Sequence, residues 1–529
     1  MNWGNQSRPA NCSTMQMVLW ALAVGRCWLR QKGLVVTSVC FLALALVFWN
    51  KAPRFVHAAT PPQAGIVRTG SKQPASTGRE AASAAAPRVL QPGQTLHQVT
   101  RGESLPALAR VYLPQTSFLT VGELEAAIRQ ANNGLHGNFL HPGEQIIVPG
   151  ILAGPILERP VEVNRDFEVR AVYLTGAMAS SEKGMRIINR WREMGGNSVV
   201  FDIKDSDGIV NIPFQHPLNS PARRPVIRNL PKLARYLHSL GMHSIARIAI
   251  FRDERLVVSH PELAVRSRRT GEPWKENGKL VWTDPSHPEV QAFDIALAKA
   301  AAEAGVDEVQ FDYVRFPAEG DQKDAKFLFQ TKYPDWRRSD VITHFLADAY
   351  AQIHPLHVLL SLDVFGVMAW QRPVDLAHTG QDIPAMALHC DVLSPMIYPS
   401  HFFGMDGYAH PGDAPEHFIG ESMARFRRDT KTTGVVLRPW LQAFGWRTRT
   451  YSANYIITQV RVAKEEGGIG FLFWNARNDY GKPLMAMSEM RTEHGRYFRG
   501  DQLPGAAAAK TAAVSTPMPV LVPTAAQPQ

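Results

Sequence analysis

Between about Phe167 and Asn475, eight short apolar runs alternate with stretches of helical periodicity. No other feature constrains the fold as strongly, because strands that alternate with helices need a parallel sheet with the helices packed outside it. The runs are Val169–Thr175, Asn197–Lys204, His243–Phe251, Glu308–Asp312, Val358–Asp363, Val392–Tyr398, Val435–Gln442 and Gly470–Asn475. Helical stretches between them include Val290–Ala304 and Ile342–Ile353. Eight such units predict an α/β fold, a (β/α)8 TIM-type barrel over residues 160–503, whose usual size of roughly 250 residues grows by insertion. A doubly wound sheet is the alternative, but the Gly-rich phosphate fingerprint that accompanies it is missing.

In such a barrel the functional residues sit at the carboxyl ends of the strands. The fourth run shows the logic. Val309 and Phe311 form one apolar face, Gln310 and Asp312 occupy the other, and Pro317 closes the segment soon after. A carboxylate therefore points inward where a core strand stops. Asp312 has two readings, a salt bridge to Arg315 or Arg247, or a group that acts on a substrate. Counted the same way, the second run ends in Asp202 and Lys204, followed by Asp205. The third gives Arg247, the fifth Asp363, the sixth Tyr398, the seventh Arg438, Trp440 and Gln442, and the eighth Trp474 and Asn475. Asp202 has a salt bridge to Lys204 as its alternative, and Asp363 a turn cap. Acids, bases and aromatic rings thus converge on one rim. That combination suits a sugar, and glycoside hydrolysis typically uses two carboxyl groups. Asp205-Ser-Asp207-Gly208 lacks the full spacing of a calcium loop and reads as a turn.

Ahead of the barrel, residues 94–150 read strand, helix, helix, strand. His97–Thr100 opens the module, Ser104 stands at a helix cap, and Asn133-Gly134 ends the second helix. The runs Val99-Thr-Arg-Gly-Glu-Ser-Leu105, Ala107-Leu-Ala109, Ala131-Asn132 and Pro142-Gly-Glu-Gln-Ile-Ile-Val-Pro149 resemble the LysM domain. The resemblance implies binding to peptidoglycan or another glycan containing N-acetylglucosamine. An insertion, Leu113–Phe118, departs from the short family loop.

Further upstream, Gly33–Trp49 is almost wholly apolar and follows Arg26, Arg30 and Lys32. Its 17 residues reach the short limit for a spanning helix, about 17–25, and the basic flank predicts an N-inside orientation. Residues 1–57 are therefore expected to form a cytoplasmic N-terminus and signal anchor. That would tether the chain to an inner membrane, facing the periplasm or cell exterior. Val56-His-Ala58 has the small-residue character of a cleavage site, so cleavage and secretion is the alternative. Residues 58–93 and 504–529 carry too little apolar surface to offset ordering and read as a disordered linker and tail.

The net charge of +10 is scattered with no long Lys/Arg run, which argues against nucleic acid as a partner. Cys390 stands alone in the folded part, so neither a disulfide framework nor a Cys-based zinc cluster fits there. No metal or other cofactor is called for.

The strand ends, taken together, resemble the glycoside-hydrolase-like DUF4015 family. The matching runs include Phe201-Asp-Ile-Lys-Asp205, Ile245-Ala-Arg-Ile248, Trp282-Thr-Asp-Pro285, Phe311-Asp-Tyr-Val-Arg-Phe-Pro317, Ser361-Leu-Asp-Val-Phe-Gly366, Ser394-Pro-Met-Ile-Tyr-Pro-Ser400, Arg438-Pro-Trp-Leu-Gln442 and Trp474-Asn-Ala476. The resemblance implies a barrel related to amylase-like glycoside hydrolases. Their strand-four Asp is the nucleophile, which maps onto Asp312; their strand-five acid is usually Glu, where this chain has Asp363. The expected function is an exported glycoside hydrolase acting on an envelope or extracellular polysaccharide. Asp312, Asp363 and Asp202 are the candidate catalytic groups. Lys204, Asp205, Arg247, Arg315, Tyr398, Arg438, Trp440, Gln442, Trp474 and Asn475 are the candidate substrate contacts. The alternative is an inactive glycan-binding scaffold.

Overall fold

A computed structural model describes residues 90–135, 137–219 and 224–500. The apolar run 33–49, the linker up to residue 89 and the tail lie outside them. No helix among the described residues is long and apolar enough to cross a membrane.

In the small module, strands Gln94–Gln98 and Gln145–Pro149 pair antiparallel and carry helices Leu105–Tyr112 and Val121–Ala131. Leu105, Leu108, Leu124, Ile128, Ile146 and Val148 form its core. Thr120 and Glu123 close a reciprocal capping box on the second helix. Ser104 occupies the cap position of the first, but its side chain makes no capping bond. Less is needed there, because Leu105 N–H donates to the Asn138 carbonyl at 3.0 Å and Pro106 has no N–H. The insertion has a purpose in the packing. Its Leu113 and Phe118 carbonyls accept hydrogen bonds from Lys232 Nζ, at 2.9 and 2.7 Å, which seats the module on a barrel helix. Burial pushes the Lys232 ammonium down to about 8.

The large unit is a closed parallel barrel. Its strands are β1 (Val169–Leu174), β2 (Ser198–Lys204), β3 (His243–Ala249), β4 (Glu308–Asp312), β5 (Leu359–Phe365), β6 (Val392–Ile397), β7 (Val436–Leu437 and Trp440–Gln442) and β8 (Gly470–Trp474). Each pairs with the next in parallel, and β8 pairs with β1 to close the ring. Pro439 removes a ladder donor and splits β7. At the closing seam Gly470 has φ +77, and a Cβ there would collide with the Val169 backbone. Only glycine meets both demands. Outside lie α1 (Glu182–Glu193), α2 (Leu230–Ser239), α3 (Pro288–Glu303), α4 (Arg338–Ile353), the short α5 (Pro373–Thr379), α6 (Pro415–Thr430), α7 (Ala453–Glu465) and α8 (Gly481–Met490).

Strand alternation sorts the side chains into two cores. Val199, Phe201 and Ile203 of β2 and Phe311 of β4 face the helices. Ala171, Tyr173, Val200, Ile245, Trp440 and Leu472 fill the barrel. At the amino end of β4, Arg438 and Glu308 form a fully buried ion pair at 2.7 Å, and His243 Nε2 lies 3.1 Å from the same carboxylate.

Candidate active site

The carboxyl rim is organised around one guanidinium. Arg247, at the end of β3, lies 2.5 Å from Asp202 Oδ1 on β2 and hydrogen-bonds Asp312 on β4. Its Nε stands 3.7 Å from Asp363 on β5, and an Nη 3.7 Å from Asp205. The two strands that flank β3, and β5 beyond β4, therefore each deliver a carboxylate to the same cation. Groups held by one planar guanidinium stand no further apart than roughly 9 Å, which does not exceed the upper limit of about 9.5 Å that glycosidases place between their two carboxyl groups.

The acids differ in environment. Asp363 is buried, and burial first, then Asp312, push its carboxyl well above the usual range, against Arg247 and a 2.7 Å hydrogen bond from Trp440 Nε1. Asp202 is pushed up to about 7, chiefly by burial and further by Asp205, while Arg247 and the Tyr173 hydroxyl oppose the rise. Burial works against the charge on Arg247, but Asp202, Asp312 and Asp205 outweigh it and hold the guanidinium ionised. Asp205 is half exposed and marks the open side. Directly after Asp312, Tyr313 adopts φ +54, a left-handed conformation rare for a residue with a bulky side chain. Its N–H turns back to Asp312 Oδ1 at 2.6 Å and fixes the carboxylate against rotation.

Several nominated contacts lie elsewhere. Lys204 does not reach the rim. A bulge after Asp202 shifts the register, so Lys204 pairs with Ile248 and takes its outward face. Its ammonium is engaged by Asp253 and Asp294 at 3.0 and 2.8 Å. Asp202 is therefore not its partner. Arg438 is corrected too: the stagger of a closed barrel sets it level with Glu308, the first residue of β4, and not with the rim. Arg315 makes no hydrogen bond to Asp312. Its guanidinium is boxed by the rings of Phe365, Trp282 and Tyr313 at 4.3, 4.9 and 5.4 Å and donates to the Phe316 carbonyl.

Gln442 holds Ser400 N–H, Thr448 and the Phe444 carbonyl, and Asn475 bridges Ala443 and Arg477; both side chains brace loops. Trp440 is buried and orients Asp363. Tyr398 is buried beneath Trp474, which is partly open.

Tyr173, whose hydroxyl bonds Asp202, was not among the nominated residues, although alternation puts it on the same inward face as Ala171. Among the described residues no group of three or more His, Cys, Asp or Glu could hold a metal ion.

A parallel barrel with this carboxylate rim, carried behind a LysM domain, is a glycosyl hydrolase-like protein. Residues 171–480 match the family described as "Putative glycosyl hydrolase domain" (DUF4015), and residues 97–149 match the LysM domain. The chain belongs to the DUF4015 family. No curated protein matches it.

Among solved structures, it is similar to a hypothetical protein from Ruminiclostridium thermocellum ATCC 27405, with 33% identity over 36% of this chain and 97% of that one and a TM-score of 0.32. It is also similar to the PgaB (BpsB) glycoside hydrolase domain from Bordetella bronchiseptica, at 16% identity over 61% and 99% of the two chains, with a TM-score of 0.45. A third is the spore cortex-lytic enzyme SleL from Bacillus megaterium QM B1551, at 11% identity over 76% and 86%, with a TM-score of 0.38.

Proposed function

We propose that the barrel hydrolyses glycosidic bonds in a cell-envelope or extracellular polysaccharide, and that the LysM module holds a glycan containing N-acetylglucosamine, such as peptidoglycan. One observation carries the reading: Arg247 of β3 gathers Asp202 of β2, Asp312 of β4 and Asp363 of β5 at the carboxyl rim. In this reading Asp363, which burial and Asp312 favour in its protonated form, gives its proton to the glycosidic oxygen. Asp312, salt-bridged and held by Tyr313 N–H, attacks the anomeric carbon or activates the water that does. Asp202, fixed by Tyr173 and Arg247, sets the guanidinium in place. The basic flank and apolar run 33–49 support export with an inner-membrane tether, the two domains facing the periplasm or exterior, and cleavage near Ala58 gives the secreted form.

A second reading, a glycan-binding scaffold without turnover, is favoured by the near-complete burial of Asp363 and by an Asp where amylase-like enzymes usually have Glu. Incubating the full chain with peptidoglycan, chitin and de-N-acetylated chitin, and measuring new reducing ends, separates the two. The hydrolase reading expects new ends that vanish in Asp312→Asn while the melting temperature holds. Binding without cleavage of any polymer favours the scaffold.

A further inference from the structure

We infer that the loops after β6, β7 and β8 build an extended subsite in which a chain of pyranose sugars lies along a wall of rings, Trp474, Phe444, His401, Trp446 and Phe403. The inference rests on the glycan-hydrolysing reading of the carboxylate centre and extends it to how the polymer is held: over several sugar residues on this side of the point of cleavage.

The wall is continuous. Ring centres step 5.4 Å from Trp474 to Phe444, 5.9 Å to His401, 5.0 Å to Trp446 and 5.8 Å to Phe403. Trp474, Phe444 and His401 all border the buried Tyr398, at 5.7, 5.6 and 5.6 Å, and Trp446 and Phe403 continue the contact from His401. It starts at the centre, since Trp474 stacks on Tyr398 at 5.7 Å and lies 6.5 Å from the ring of Tyr173, whose hydroxyl bonds Asp202. All five rings are partly open, whereas Trp440 and Trp191 in the barrel cores are closed off. One exposed ring is unremarkable. Five in unbroken contact, leading out from a group of carboxylates, make the kind of apolar patch that marks a binding site.

Three of the four contacts are edge-to-face, at 88°, so each ring is propped by its neighbour and loses little freedom when a ligand arrives. His401 belongs with the apolar rings: burial first, then Arg447, hold its imidazole down to about 3, so it stays neutral. Arg447 itself lies over Phe403 and Trp446, at 4.3 and 4.7 Å from their centres, and brings hydrogen-bond donors to the outer end. Apolar rings with a guanidinium over the outer two match the C–H faces and hydroxyl rims of a sugar chain. Because the platform reads C–H faces, it tolerates different ring substituents.

Tryptophan fluorescence tests this directly, because residues 94–150 contain no Trp and the LysM module is silent. The full-length Asp312→Asn chain is titrated with chitohexaose, its de-N-acetylated form and cellohexaose, each against its disaccharide. At least one hexamer is expected to bind about tenfold tighter than its dimer, the worth of one covered ring face. Trp446→Ala and, separately, Phe403→Ala should collapse that advantage, while Trp336→Ala, in a stack with Tyr333 and His344, should keep it. Equal affinities for hexamer and dimer, no signal with any hexamer, or a full advantage surviving both wall variants would overturn the inference. The hydrolase reading fails independently, if the native chain releases no reducing ends while the length-dependent binding persists.

Discussion

Replacing Arg438 by Met removes the cation that balances Glu308 inside the barrel. Both side chains are fully buried, and Arg438 Nη1 lies 2.7 and 3.0 Å from the two carboxylate oxygens. Burial alone raises the Glu308 pKa. Arg438, and then His243, outweigh it and take the carboxyl from its ordinary 4.5 down to about 2. At 1.36 kcal/mol per pKa unit the net drop is worth roughly 3 kcal/mol, a lower bound on what Arg438 supplies, because the cation also offsets the burial of the carboxyl. Breaking a buried pair from one side independently costs about 3–5 kcal/mol. Arg438→Met is therefore expected to lose at least about 3 kcal/mol in urea unfolding at pH 7.

The pH dependence has a definite sign. A folded pKa below the ordinary value means that the contribution is fully present above about pH 4.5 and disappears as pH falls through about 2. The gap between native and variant should narrow over that window. Adding Glu308→Leu should recover part of the loss, because the second change removes the stranded charge and two other Arg438 nitrogens have no partner in the native barrel. An Arg438→Met protein that unfolds like the native chain yet loses glycan affinity would show that the residue belongs to the binding site after all.

Asp312→Asn should lower turnover by about a thousandfold or more and leave urea unfolding within about 1 kcal/mol, measured on the same preparation. Tyr173→Phe removes a bond that favours the ionised Asp202, so the Asp202 titration, about 7 in the native protein, should move upward when followed by carboxyl carbon NMR. Asp363→Asn removes the group held protonated; any alkaline limb in the pH–rate profile that belongs to Asp363 should vanish with it. Lys232→Met takes the shared donor from Leu113 and Phe118, and hydrogen exchange should quicken across 113–118 while the barrel strands keep their protection.

The barrel was legible because its pattern is carried by backbone periodicity. Alternation in Glu308–Asp312 separated Phe311 from Gln310 and Asp312, and in the fold Phe311 lies against the helices and Asp312 at the rim. The same counting misplaced Lys204, because one extra residue in a strand flips every side chain beyond it, and a bulge leaves no mark in composition. Arg438 was misjudged for a different reason. Stagger between strands is a property of the closed ring, so a position in mid-β7 cannot be levelled against β4 from the sequence. The convergence on Arg247 was only partly readable. Each partner was nominated from its own strand, but that one guanidinium joins them depends on neighbours far apart in sequence. His401, Phe403, Phe444 and Trp446 follow strand ends in irregular loops, where no period marks an inward side.

The seam that closes the ring also ties together the entry and the exit of the barrel. Gly470 of β8 lies beside Val169 of β1, Arg170 donates to the Gly500 carbonyl at 3.3 Å, and Arg499 N–H donates to Glu168. The order of units along the chain is thus separable from their order around the ring. A permuted barrel, with residue 500 joined to residue 167 through a short linker and new ends opened beside the exposed Asp479, would keep every strand pairing, and its cut would fall between β8 and α8. For engineering, this means that the attachment point of a carbohydrate-binding module could be moved from the amino end of β1 to the carboxyl end of β8 by cutting and rejoining the chain, with no strand redesigned.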